Sequence, residues 1–317
     1  MKTIVLNDGR KLPAIGLGTW KSTEEGEAYQ AVRKALDIGY RHIDCAHIYG
    51  NEAEIGRAIS DSISDGICSR DDLWITSKLW NNSHESERVL EACKFTLEQL
   101  NLDYLDLYLM HWPIAFRSDV MAPENANGFL SLEDVPLSET WGALLSLQEK
   151  GLSRSVGVSN FSARRLQEII DSSGCAPAVN QVELHPFLPQ RELFDFCQKQ
   201  NIHLTAYSPL GSNDRPDVLK RPDEKPILDN DTIAAIANEH QTTPARVLIA
   251  WAVQRGTSVI PKSTNAERLA ENLSASQLVL TETNMKQISQ LETGLRYVNP
   301  VMWFGEESPY NEKDQWD

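Results

Sequence analysis

A (β/α)8 barrel is the architecture this chain predicts, on three observations: eight short apolar runs of strand character, helix-period segments alternating with them, and glycines where helices should stop. The strand-like runs fall at residues 15–19, 41–45, 73–78, 105–111, 155–158, 178–182, 203–207 and 258–261. Helical periodicity occupies 24–38, 52–63, 86–100, 138–150, 163–172, 190–199 and 244–255, with 266–272 after the last strand. Gly39, Gly151 and Gly256 follow three of these segments, where glycine enters the left-handed conformation without a Cβ penalty. Eight strand-helix units are the count that closes a parallel barrel. The competing architecture, an open doubly wound sheet, calls for a Gly-rich fingerprint, and Gly16-Leu17-Gly18 has Lys21 in place of its third glycine. Nothing beyond the alternation repeats and no boundary is visible, so residues 1–317 are read as one barrel domain.

Taken in order, residues 3–6 and 11–14 flank Asp8-Gly9, a strong two-residue hairpin signal, so residues 1–14 should form a hairpin that plugs or caps the barrel. Asp44 ends the second strand and Tyr49 follows in a loop, after which Asn51 is placed to cap the next helix. In the fourth strand Leu105, Leu107, Leu109 and His111 share parity, which aims the histidine into the barrel. Three connections, 113–137, 208–230 and the tail 295–317, exceed ordinary loop length and can reach the carboxyl ends of strands. That is the face where barrels build their sites.

Composition excludes several classes. With 41% hydrophobic and 24% charged residues the chain is globular, and a net charge of −15 argues against nucleic acid and anionic membrane surfaces. The first apolar run, before Asn7, is too short for a signal peptide, and no run approaches the roughly 18 residues of a membrane span. Cys45, Cys68, Cys93, Cys175 and Cys197 are odd in number and lack a C-x-x-C pair, as expected of reduced thiols. A cytoplasmic monomer acting on a small molecule is the expectation.

The strand-end rule brings together Asp44, Tyr49, Lys78 and His111. Singly, a lysine is usually a solvated charge and a buried histidine a satisfied core residue. Together they form a working set: an ammonium beside a phenol should lower its pKa, an aspartate should hold the lysine charged, and the histidine can bond a carbonyl or relay a proton. A phenol, lysine, aspartate and histidine suit protonation of a carbonyl oxygen as hydride arrives at carbon. No metal ligand set is assigned; H-E-x-x-H and G-x-S-x-G do not occur, and residues 157–161, GVSNF, lack the second glycine. The residues alone leave open a Schiff-base aldolase using Lys78 and a reductase using Tyr49.

From Ile4 to about Glu271 the sequence resembles the aldo-keto reductases, the NAD(P)H-dependent carbonyl reductases of the (β/α)8 fold. Residues 44–52, DCAHIYGNE, fit that family's D-x-A-x-x-Y-x-N-E, and Lys78 and His111 fit the rest of its tetrad. The resemblance implies that Tyr49 is the general acid. It implies that Ser159, Asn160 and Gln181 bond the nicotinamide carboxamide and that Tyr207 stacks on the ring. Ser208, Leu210, Ser212 and Asp214 match the segment that folds over the pyrophosphate. Lys262, Ser263, Thr264, Arg268, Glu271 and Asn272 match the adenosine site. Asn160 and Gln181 carry donors and acceptors suited to an amide, although Asn160 also suits a helix N-cap. Lys262 and Arg268, near a helix start at Asn265, suit a 2′-phosphate, which favours NADPH; pentose reductases with a similar Lys-Ser segment leave NADH open as a second donor. His185, in ELHPF, is read as structural. Trp20, His47, Trp80, Trp112 and Trp303 are the substrate-pocket candidates. A nucleotide-binding regulatory subunit on the same barrel is the competing class.

Overall fold

The computed structural model describes residues 2–217, 220 and 224–317. The chain opens with β1 (Thr3–Val5) and β2 (Lys11–Pro13), paired antiparallel with Thr3 opposite Pro13. Gly9, at φ 83°, makes the turn between them. Leu6 and Leu12 pack against Trp74, Leu107, Leu109 and Val179. The hairpin thereby caps the amino-terminal end of the barrel and leaves the opposite end for chemistry.

Four barrel strands follow: β3 (Leu17–Gly18), β4 (His42–Asp44), β5 (Trp74–Leu79) and β6 (Leu105–Met110). A small ladder of β7 (Ala115–Phe116) and β8 (Phe129–Leu130) interrupts them. The barrel resumes with β9 (Ser153–Ser159), β10 (Val179–Glu183), β11 (His203–Tyr207) and β12 (Ser258–Val259). Each of the eight pairs in parallel with the next, and β12 returns to the first strand through Val259 N–H to Ala14 O at 2.9 Å and Gly16 N–H to Val259 O at 2.8 Å. Gly18 is required at this seam, since a Cβ there would lie 2.6 Å from the Ile260 carbonyl oxygen. The last strand is shorter than the expected 258–261 because Pro261 has no N–H to give; its carbonyl instead accepts from Gly18 at 3.2 Å.

Helices clothe the barrel. They are α1 (Glu27–Ile38), α2 (Glu52–Ser64), α3 (Ser86–Leu100), α4 (Leu137–Glu149), α5 (Ala163–Ser173), α6 (Arg191–Lys199), α7 (Asp231–Glu239), α8 (Pro244–Gln254), α9 (Ala266–Ser274), α10 (Glu282–Ser289) and α11 (Glu312–Trp316). The parity read for the fourth strand holds for Leu107 and Leu109, which face the inside, whereas Tyr108 and Met110 join the core under the helices.

Four further expectations change. The connection at 113–137 is not structureless, because β7 and β8 order it. The connection at 208–230 ends in a 3-10 turn, Ile227–Asp229, and its residues 218, 219 and 221–223 lie outside the described set. Asn51 stands at the start of α2 but does not cap it with its side chain. Its amide donates to Thr19 O and Ser22 O at 3.0 and 3.1 Å, tying β3's exit to the loop of Tyr49. Helix α7 adds an element between β11 and α8; the signal was Asn230, whose side chain accepts from Thr232 and Ile233.

Candidate active site

Strand register assembles the site. Gly18 lies beside Asp44, Lys78 beside Leu109, and Gln181 beside both Ser159 and Thr205. Asp44, Lys78 and His111 therefore arrive at one rim, and the 3-10 turn His47–Tyr49 carries the phenol in beside them.

Lys78 is fully buried. Its ammonium donates to Asp44 Oδ1 at 2.5 Å, to Cys45 O at 2.8 Å and to Tyr49 Oη at 3.4 Å. Burial favours the neutral amine, but Asp44 and Tyr49 outweigh it and hold Lys78 above the ordinary lysine value. The other oxygen of Asp44 accepts from Gln181 Nε2 at 2.6 Å. This bond joins a residue matched to the tetrad with one matched to the cofactor site, which spacing could not reveal.

Burial also decides Tyr49, and it decides against the sequence expectation. Removal from water pushes the phenol up to about 12; Lys78 pulls it down, but not below the ordinary tyrosine value. Tyr49 consequently keeps its proton throughout the neutral range. His111 is driven well below the ordinary histidine value, first by burial and then by Lys78 and His84, so its ring is neutral. Its centroid lies 5.9 Å from that of Tyr49, nearly edge-on, and 5.2 Å from that of Trp80.

These groups open on a cavity of about 870 Å³. Asp44, Tyr49 and His111 line it, whereas Lys78 stays behind the wall. Trp20, Trp80, Trp112 and Trp303 line one end with Ile48, Val298, Pro300 and Met302. Trp303 sits 5.3 Å from Trp112 and 6.2 Å from Trp80, both edge contacts. His47 is not among the lining residues. It turns away and meets Phe95 edge-on at 5.4 Å, so the polar intruder expected in the pocket is absent and Ile48 takes that place.

The rest of the cavity is lined by Ser159, Asn160, Gln181, Tyr207, Ser208, Leu210, Ser212, Asp214, Lys262, Ser263, Thr264, Arg268, Glu271 and Asn272, the whole set matched by resemblance to a dinucleotide. Asn160 does not cap a helix; Ser162 accepts from Arg165 N and caps α5. Asn160 holds a left-handed backbone, φ 63°. Its amide donates to His111 O at 2.9 Å and Ser159 Oγ at 3.1 Å, and its oxygen accepts from Tyr207 Oη at 2.8 Å. Asn265 caps α9 through Arg268 N, and Lys262 lies 4.0 Å from Glu27. Arg268 makes no ion pair among the described residues, which leaves a cation facing the cavity. The segment after β11 is tied across the rim by Lys21 Nζ donating to Asp214 O.

His185, read as structural, bonds Glu183 at 2.8 Å, and both are fully buried. The same carboxylate accepts from Tyr297 N and Val298 N, which anchors the start of the tail. The tail then returns to the site. Gln315, in a stretch that no sequence pattern placed, donates to Asn160 O at 2.8 Å.

Comparison with known proteins gives a match to the Aldo/keto reductase family over residues 14–293. The chain is 48% identical over 317 residues to the protein named Aldo/keto reductase slr0942 from Synechocystis sp., covering 100% of this chain and 97% of that one. It is 46% identical over 301 residues to Aldo-keto reductase family 1 member A1 from Bos taurus and 45% identical over 301 residues to its Homo sapiens counterpart, covering 94% of this chain and 92% of each relative.

Proposed function

Because the chain belongs to the aldo/keto reductase family and is an oxidoreductase of carbonyl compounds, we propose that it reduces aldehydes, aldoses or small ketones to alcohols with NADPH, using Tyr49 as the acid. The observation that carries this reading is the contact of Tyr49 Oη with the buried Lys78 ammonium, itself fixed on Asp44.

The cavity suits a dinucleotide: Ser159, Asn160 and Gln181 would hold the amide of the nicotinamide, Tyr207 would face its ring, and Lys262 and Arg268 would hold a 2′-phosphate. When bound, the cofactor supplies hydride to carbon. The chain's own residues handle the oxygen. Tyr49 gives its proton to the carbonyl oxygen as charge gathers there, and the Lys78 ammonium, 3.4 Å away, stabilises the phenolate that remains. A raised phenol pKa keeps the acid loaded before reaction, and the adjacent cation makes the proton's departure affordable. Neutral His111 aligns the carbonyl by hydrogen bonding rather than by donating a proton of its own. The tryptophan end accommodates the organic part of the substrate.

The aldolase alternative fits the geometry less well, because Schiff-base formation needs a neutral amine and Lys78 is held charged against Asp44. A steady-state assay of NADPH and NADH oxidation across aldoses, glyceraldehyde, aromatic aldehydes and uronates tests the reading. It also separates an enzyme from a nucleotide-binding subunit. Tyr49→Phe should lower kcat by about 10²–10⁴-fold with NADPH binding within twofold of the parent. Equal loss of both would assign Tyr49 to cofactor binding or folding and overturn the proposal.

A further inference from the structure

The tail's last turn packs behind Asn160, one of the residues that line the part of the cavity where the carboxamide would lie. Gln315 is 5% exposed, and its Nε2 donates to the backbone carbonyl of Asn160. Asn160 is an unusual residue to leave to chance. It is a non-glycine in left-handed backbone, and its side chain connects the His111 carbonyl, the Ser159 hydroxyl and the Tyr207 phenol. The Asn160 N–H is satisfied by the Gln181 carbonyl of β10 at 3.0 Å, and its buried carbonyl, just past the end of β9, needs a donor of its own. Gln315 fills that role across 155 residues of chain.

The tail is seated well enough to hold it there. Trp316 Nε1 donates to Asn299 Oδ1 at 3.2 Å, and the ring lies 3.5 Å from the Arg296 guanidinium and 6.0 Å from Trp112. Tyr310 Oη accepts from Ala115 N and donates to Leu130 O, which fastens the tail to the β7–β8 ladder.

We propose that Gln315 is a positioning residue for carbonyl reduction, fixing the peptide of Asn160 so that its carboxamide is presented to the nicotinamide end of the cofactor. The inference rests on the reading of Asn160 as a cofactor residue. It gives the C-terminal helix a task on the cofactor side, separate from forming the substrate mouth.

Gln315→Met keeps the length and removes the donor. NADPH should then bind about tenfold more weakly and kcat should fall about tenfold, while KM for a good aldehyde stays within about twofold. The fragment 2′,5′-ADP, which occupies only the adenosine end, should bind as to the parent. Gln315→Glu sets a carboxylate against the Asn160 carbonyl; its loss should exceed that of the methionine variant at neutral pH and shrink as the carboxyl gains a proton on acidification. Unchanged NADPH affinity and kcat in Gln315→Met, or an equal loss of 2′,5′-ADP binding, would overturn the inference and leave the cofactor assignment standing. Failure of the parent protein to bind NADPH would remove the assignment and the inference together.

Discussion

Lys78 and Gln315 are both buried donors at the same rim, yet they are held in opposite ways. Lys78 meets three oxygens, contributed by Asp44, Cys45 and Tyr49, all within 34 residues of it and carried on neighbouring strand ends and their loop. Gln315 makes one neutral bond to a residue 155 positions away, at the end of a five-residue helix. The first arrangement places a charge where water cannot reach and surrounds it with acceptors, so losing a partner is costly. The second adds one neutral hydrogen bond to a site already built, so its removal should shift alignment more than stability. The Lys78 charge is thus set by the barrel wall, whereas the Asn160 carbonyl is met by the tail.

The largest break in this contrast should come from Lys78→Met, which leaves the nearly buried Asp44 carboxylate with Gln181 as its remaining side-chain donor. Unfolding free energy from denaturant titration should fall by about 3–5 kcal/mol, with turnover reduced at least as strongly as in Tyr49→Phe. A variant as stable as the parent would show that the ion pair is not what holds this corner.

Glu52 sharpens the contrast from behind the wall. Its carboxylate accepts from Ser77 Oγ at 2.6 Å and Thr96 Oγ1 at 3.3 Å, and burial, only partly offset by these bonds and by Lys78, raises it to about 7. A folded-state value above the unfolded one means stability is fully present below the unfolded pKa, near 4.5, and is lost as pH rises through about 7. The loss amounts to about 3 kcal/mol. Glu52→Gln should flatten the stability profile over that window, measured by denaturant midpoints at several pH values. A parent profile that rises between these limits would contradict the assignment.

The smallest effect belongs to the tail. Tyr310→Phe removes the hydroxyl shared by Ala115 N and Leu130 O and should cost about 1 kcal/mol, with faster hydrogen exchange at Ala115 and none at Lys78. Exchange that also quickens around Lys78 would mean that corner and tail are one cooperative unit.

Much of this molecule was legible one residue at a time. Asp8-Gly9 announced its hairpin because few dipeptides accept that turn, and Leu107 and Leu109 gave the inward face of β6 because strand periodicity is two. Tyr49 and Lys78 could be paired because strand ends in such a barrel share a rim. Short elements were harder: Thr281 and Asn284 form a capping box that starts α10, yet eight residues carry too little periodicity to stand out.

What the sequence determined by itself was therefore the alternation that makes a barrel, the rim that carries its site and the four side chains placed there, since each follows from local geometry repeated along the chain. Tertiary structure alone decided that Tyr49 keeps its proton, that His47 turns away from the cavity, that Gln181 grips Asp44 and that Gln315 reaches Asn160. Those outcomes depend on how much water is excluded and on which distant segment arrives at a given carbonyl. Neither quantity is a property of any short stretch of residues.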